Sequence, residues 1–246
     1  MQLIPSIDLR GGHCVRLLKG DFDAETRYDL DPRALLDRYR SLGAAWLHVV
    51  DLDGARDGQL ANRALLLQLA GQDAVRLQVG GGIRSAAVVE DLLGHGVARV
   101  AVGSAAVDNV AEVGRWIRHY GPERICLAFD VLHDAAGTPR LRTRGWREAS
   151  PLSLWEAIAL YEPLGLRHVL CTDIDRDGAL AGPNLALYRE AFRRHPHIQW
   201  QASGGVSGAP DLGALAALGI AAAISGKALL EQRMQPEELR PFLPNA

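Results

Sequence analysis

The two halves of this 246-residue chain carry the same landmarks in the same order. Val79-Gly80-Gly81-Gly82-Ile83 resembles Ala202-Ser203-Gly204-Gly205-Val206, with Gly82 and Gly205 123 residues apart. Val102-Gly103-Ser104-Ala105 resembles Ser225-Gly226-Lys227-Ala228 at the same spacing of 123. Upstream, Ser6-Ile7-Asp8-Leu9 matches Ala128-Phe129-Asp130-Val131 at 122, and Asp57-Gly58 matches Asp177-Gly178 at 120. Matches in chain order with so little drift point to a duplicated unit whose loops have changed length.

Within each unit, short Val/Ile/Leu/Ala runs alternate with stretches of helical periodicity, the βα pattern of a parallel sheet. Strands are expected near Leu3–Asp8, Trp46–Asp51, Arg76–Gly80, Arg99–Gly103, Ile125–Asp130, His168–Thr172, Ile198–Ser203 and Ala221–Ser225. Helices are expected at Pro32–Leu42, after the capping Asp31, and at Ser85–Gly94, and Gly43, Gly96, Gly121, Gly165 and Gly219 stand where helices stop. Eight βα units in this length suit an α/β fold of the closed (β/α)8 TIM-barrel type with an internal twofold repeat. No linker divides the chain, so one domain over 1–246 is expected, with half-barrels at about 1–122 and 123–246. Two inserts, Gly11–Leu30 and Leu132–Ser150, follow the strands that end in Asp8 and Asp130 and are candidate lid loops.

Composition excludes several functions. With 27 Lys+Arg against 29 Asp+Glu, the net charge of −2 gives no field for a nucleic-acid backbone. No run of about 18 apolar residues suggests a membrane span, and the start Met1-Gln2-Leu3-Ile4-Pro5-Ser6-Ile7-Asp8 lacks a basic leader, so an unprocessed cytoplasmic protein is expected. Cys14, Cys126 and Cys171 are odd in number and far apart, as reduced thiols would be.

In such a barrel Asp8 on strand one and Asp130 on strand five face one another across the mouth, as do the two glycine clusters. Gly81, Gly82, Gly103 and Ser104 in one half, and Gly178, Gly204, Gly205, Gly226 and Lys227 in the other, offer backbone N–H groups and polar side chains for two phosphates. Tight strand-to-helix packing is the competing reading for each glycine taken singly, and Gly54 and Gly80 are read that way. Alternation puts Ile4, Ser6 and Asp8 on the inner face, and likewise Cys126, Ala128 and Asp130. Two carboxylates in one mouth suit general acid and base work, against the alternative of structural loop caps or ion pairs with Arg10 and Arg84. The parity of Thr172 and Asp173 is open, since adjacent residues cannot both point inward. His48 and His168 are read as equivalent positions that join strand to helix. Trp146, on a polar insert, is placed to stack on a flat ligand, whereas Trp46, Trp116, Trp155 and Trp200 read as core. The histidine and cysteine spacings give no metal motif, no Gly-x-Gly-x-x-Gly opens the first helix, and no serine elbow is present.

Ile4-Pro5-Ser6-Ile7-Asp8-Leu9, Val79-Gly80-Gly81-Gly82-Ile83-Arg84, Thr172-Asp173-Ile174-Asp175-Arg176-Asp177-Gly178, Ala202-Ser203-Gly204-Gly205-Val206 and Gly226-Lys227-Ala228-Leu229 together resemble the ProFAR isomerase family of histidine biosynthesis, over essentially the whole chain. The resemblance implies an Amadori rearrangement of an aminoaldose to an aminoketose, with a bisphosphorylated substrate and no cofactor; this chemistry requires no metal, and a monomer without an obligate protein partner is expected, although the residues leave monomer against dimer open. By resemblance Asp130 is the general acid that opens the ribose ring and Asp8 the base that takes the C2 proton. Thr172 and Asp177 are supporting residues, and Arg84 and Trp146 are substrate contacts. Val102-Gly103-Ser104, where relatives carry Gly-Thr, and Leu17-Leu18-Lys19-Gly20-Asp21 depart slightly from the family pattern. Three alternatives stand beside this: the sister cyclase subunit of imidazole glycerol phosphate synthase, whose first strand usually reads Cys-Leu-Asp rather than Ser6-Ile7-Asp8; an isomerase that also accepts phosphoribosyl anthranilate; and a non-catalytic sugar-phosphate binder, against which both aspartates argue.

Overall fold

In the computed structural model, which describes residues 1–18, 20–71 and 74–245, eight parallel strands close into a ring. They are β1 (Gln2–Arg10), β2 (Trp46–Asp51), β3 (Arg76–Gly80), β4 (Arg99–Val102), β5 (Ile125–His133), β6 (His168–Asp173), β7 (Gln199–Ser203) and β8 (Ala222–Ser225). Each strand pairs with its successor, and β8 returns to β1 with Ala222 opposite Gln2. Helices connect the strands, giving a (β/α)8 TIM barrel. Lys19, in the first-insert motif, lies outside the described residues.

The helix ends follow their local chemistry. Helix Pro32–Ser41 starts with Pro32 at its first position and Asp31 accepting from the Arg33 N–H, and Gly43 beyond it takes φ +97°. Helix Ala86–Gly94 is capped by Ser85. The apolar strands serve two cores. Ile7, Val49, Leu127 and Phe129 face the helices, while Ile4, Trp46, Cys126, Leu170, Ala222 and Ile224 fill the barrel interior. Among the described residues no helix is long and apolar enough to cross a membrane. Cys14, Cys126 and Cys171 are buried and unpaired.

Two expectations are corrected. The inserts are antiparallel ribbons rather than loops: His13–Leu18 and Asp21–Arg27 extend β1, and Pro139–Thr143 and Glu148–Ser153 extend β5. One strand of each ribbon buries apolar residues, Cys14, Val15 and Leu17 in the first and Leu141 in the second, while the other strands, Asp21–Arg27 and Glu148–Ser153, are largely polar and open and gave no apolar alternation to read. His48 and His168 are not equivalent, nor do they join strand to helix. Register places His48 beside Gln78 and Leu170 beside Gln201, so Leu170 is the counterpart of His48. Both histidines belong to a polar layer inside the barrel: His48 meets the Gln78 side chain, and His168 meets Arg99 and Glu123.

Candidate active site

Asp8 and Asp130 each stand where a barrel strand becomes a ribbon. Asp8 is opposite Val50 of β2 on one side and Val15 of the first ribbon on the other; Asp130 is opposite Thr172 of β6 and Arg142 of the second ribbon. A strand that changes partners here carries its inward-facing carboxylate to the rim of the barrel, under the ribbon it continues into. One cavity at this end is lined by Asp8, Asp130, Thr172, Asp177, Arg84 and Trp146 together with Gly81, Gly82, Gly103, Ser104, Gly178, Gly204, Gly205, Gly226 and Lys227. Thr172 is the inward residue of its pair, for Asp173 turns away to hold the Asn184 amide at 2.6 Å.

The two carboxylates have different surroundings. Burial raises the pKa of Asp8, and Arg16 opposes this by donating to Oδ2 at 2.8 Å; the same guanidinium reaches Asp177. Asp130 is also raised by burial, but the groups that oppose it are the neutral donors Trp146 and Thr172, with Trp146 Nε1 at 2.7 Å from Oδ2. Arg10 pairs instead with Glu25, and Arg84 donates to the Ala55 carbonyl, so neither makes the ion pair with Asp8 or Asp130 that its charge suggested.

The glycine clusters have a packing reason of their own. Gly81 lies at φ +89° with a Cβ position 2.1 Å from the Asp51 carbonyl oxygen, and Gly204 at φ +94° with one 2.6 Å from the Asp173 carbonyl oxygen. Asp51, fully buried, is pinned by the N–H groups of Gly54 and Asn62 and by the Asn62 amide. Next to these glycines, Gly103 and Gly226 precede the short helices Ser104–Asp108 and Lys227–Leu230. The Lys227 ammonium donates to the Gly178 carbonyl at 3.2 Å, while the Ser104 hydroxyl accepts from the Arg144 N–H at 2.9 Å.

The ribbons meet over the cavity. The Trp146 indole lies on the Gly20 backbone, where a Cβ would come within 2.2 Å of its ring. Arg144, Gly145 and Trp146 take φ of +55°, +64° and +69° in succession. For non-glycine residues such backbone costs about 1–3 kcal/mol each, a strain that clusters at sites which move or bind.

Arg16, which lines the cavity and joins Asp8 to Asp177, is a residue that sequence reasoning missed. A guanidinium within the otherwise apolar run Cys14-Val15-Arg16-Leu17 was the available signal, but the partner that explains it, Asp177, lies 161 residues away.

Comparison with known proteins is consistent over nearly the whole chain. A family model described as histidine biosynthesis protein matches residues 2–235. A protein of Maricaulis maris (strain MCS10) is 48% identical over 233 residues, covering 95% of each chain. One of Aeromonas salmonicida (strain A449) is 47% identical, covering 93% of this chain and 92% of its own. One of Proteus mirabilis (strain HI4320) is 47% identical over 96% of each. All three carry the name 1-(5-phosphoribosyl)-5-((5-phosphoribosylamino)methylideneamino)imidazole-4-carboxamide isomerase.

Proposed function

The chain belongs to the histidine biosynthesis protein family, and we propose that it catalyses the reaction for which its relatives are named, conversion of the aminoaldose ProFAR to the aminoketose PRFAR. The observation that carries the mechanism is the unequal environment of the two carboxylates in one mouth. Asp8 holds Arg16, a cation that favours its ionised form, so Asp8 is the base. Burial makes Asp130 easier to protonate, and only the neutral donors Trp146 and Thr172 oppose that, with no cation among the causes, so Asp130 is the acid.

Asp130 gives its proton to the ribose ring oxygen as the C1–O bond breaks, leaving a Schiff base between C1 and the substrate nitrogen. Asp8 takes the C2 proton, and the electron pair moves to form an enolamine. Tautomerisation of the enolamine to the ketone returns a proton to C1, so the overall change is isomerisation. Proton transfers of this kind contribute about 10²–10⁴ each.

The relatives' name specifies a phosphoribosyl group at each end of the ligand. Two glycine-rich rims, Gly81-Gly82 with Gly103-Ser104 and Gly204-Gly205 with Gly226-Lys227, support one phosphate site each and a reacting centre between them. Release of Trp146 from Asp130 frees the acid, and the indole is then available to stack on the ligand's heterocycle. The glycine packing repeated on Asp51 and Asp173 supports descent of residues 1–122 and 123–246 from one half-barrel. We read the protein as a single-domain cytoplasmic monomer that needs no cofactor or protein partner.

The test is absorbance-followed turnover of ProFAR by the purified protein and by Asp8→Asn, with and without chelator. Chelator-insensitive activity that the variant loses while still binding substrate supports the assignment. A wild type that ignores ProFAR but makes imidazole glycerol phosphate from PRFAR and ammonia would replace it with the cyclase reading.

A further inference from the structure

Below the carboxylates the floor of the cavity differs between the two halves. His48 and its counterpart Leu170 both line it. Behind them Gln78 and Gln201 meet across the barrel interior, with Gln78 Nε2 donating to Gln201 Oε1 at 2.8 Å and Gln201 Nε2 donating to Gln78 Oε1 at 3.1 Å. Taken alone, such a reciprocal amide pair reads equally well with both groups turned over, because oxygen and nitrogen are interchangeable in shape.

Arg99 removes that freedom. A guanidinium has donors only, and Arg99 Nη1 lies 3.3 Å from Gln78 Oε1, so that atom is the oxygen. Arg99 is itself held by the Glu123 carbonyl at 2.8 Å and by the Trp46 ring, 4.3 Å away. With its oxygen turned to Arg99, Gln78 presents its N–H to His48 Nδ1 at 3.2 Å. A ring nitrogen that accepts carries no proton, which leaves the proton of neutral His48 on Nε2. Burial keeps the ring neutral, lowering its pKa to about 4. Among the described residues no side chain bonds Nε2, and His48 lines the cavity.

We infer that Arg99, acting through Gln78, fixes His48 as its Nε2–H tautomer, a neutral hydrogen-bond donor on one side of the cavity floor where Leu170 offers none on the other. This rests on the isomerase reading and deepens it. The ligand of the relatives' name has a phosphoribosyl group at both ends but one carboxamide-bearing ring. Two similar phosphate rims give such a ligand no direction; a donor on one side does, by receiving its ring or carboxamide acceptor. Gln78 and Arg99 are positioning residues and His48 is the group that touches substrate.

Long-range ¹H–¹⁵N spectra of the full-length protein labelled at histidine nitrogens read the tautomer directly, with His48→Gln identifying the signal. The expected pattern is an unprotonated Nδ1 and a protonated Nε2, unchanged between about pH 6 and 8. A protonated Nδ1, or a mixture, overturns the inference whatever the activity, so this failure is distinct from failure of the isomerase reading. Kinetics supply the second arm. In His48→Gln the amide nitrogen stands near the position of ring Nε2, and KM stays within about threefold; in His48→Asn it stands near Nδ1, and KM rises about tenfold. Better retention in the asparagine variant would overturn the proposal.

Discussion

Asp130→Asn removes activity and adds stability, and both effects follow from one environment. Asparagine keeps the shape of the side chain and an oxygen to accept the Trp146 N–H, which lies 2.7 Å from Asp130 Oδ2, so the second ribbon keeps its place. What disappears is the transferable proton. Loss of a general acid lowers kcat by about 10²–10⁴, or about 3–5 kcal/mol of barrier at about 1.36 kcal/mol per decade. KM changes by less than about threefold, because the phosphate rims are untouched. The stability change has the opposite sign. Burial raises the pKa of Asp130 in the folded state, with the Trp146 and Thr172 hydrogen bonds opposing. The stabilisation that comes from holding its proton is therefore fully present below the unfolded-state pKa and is lost as pH rises through the folded one. Where pH exceeds that folded-state value, the wild type carries a buried ionised carboxylate that the amide variant lacks. A gain of about 1–2 kcal/mol is expected there, seen as about 2–8 °C in Tm. It should vanish as pH falls toward about 4, where both side chains are neutral. Steady-state kinetics and calorimetry at pH 4, 6 and 8 measure both effects. More than a tenth of wild-type kcat, or a lower Tm at pH 8, would refute the reasoning.

Three further perturbations test other parts of the site. Gly81→Ala places a Cβ 2.1 Å from the Asp51 carbonyl oxygen at φ +89°, so stability should fall by about 3 kcal/mol or more; a melting temperature within about 2 °C of wild type would contradict the packing argument. Lys227→Met should raise KM about tenfold or more and weaken the salt dependence of kcat/KM, as expected for a lost phosphate contact; an unchanged KM would remove Lys227 from the binding site. Arg16→Met takes away the cation that opposes the raised pKa of Asp8 and leaves Asp177 beside it. Asp8 then stays protonated to higher pH, and kcat/KM falls more at pH 6 than at pH 8. Equal losses at both would show that Arg16 acts other than through the charge of Asp8.

Strands, helix ends and the strand-terminal aspartates were legible in the amino-acid order because each is local. Hydrophobic period, an Asp31-Pro32 start and a glycine stop all act within a few residues. The inner parity of Asp8 and Asp130 was legible too, since a period of two needs only one polar tip per strand. The ribbons were read as loops because only one strand of each is buried, and its partner, Asp21–Arg27 or Glu148–Ser153, is too polar and open to show that period. The mismatch of His48 with His168 arose because spacing alone misses register by two residues, enough to exchange Leu170 for His168.

By itself, then, the amino-acid order determined an eightfold βα barrel, two carboxylates at its mouth and glycine clusters facing one another. Tertiary structure alone decided which carboxylate meets a cation and which a neutral indole, and which histidine faces the cavity. The physical reason is distance along the chain. Arg16 with Asp177 and Gln78 with Gln201 are joined across 161 and 123 residues. Such pairs carry no local period, and closure of the ring brings them within hydrogen-bonding reach.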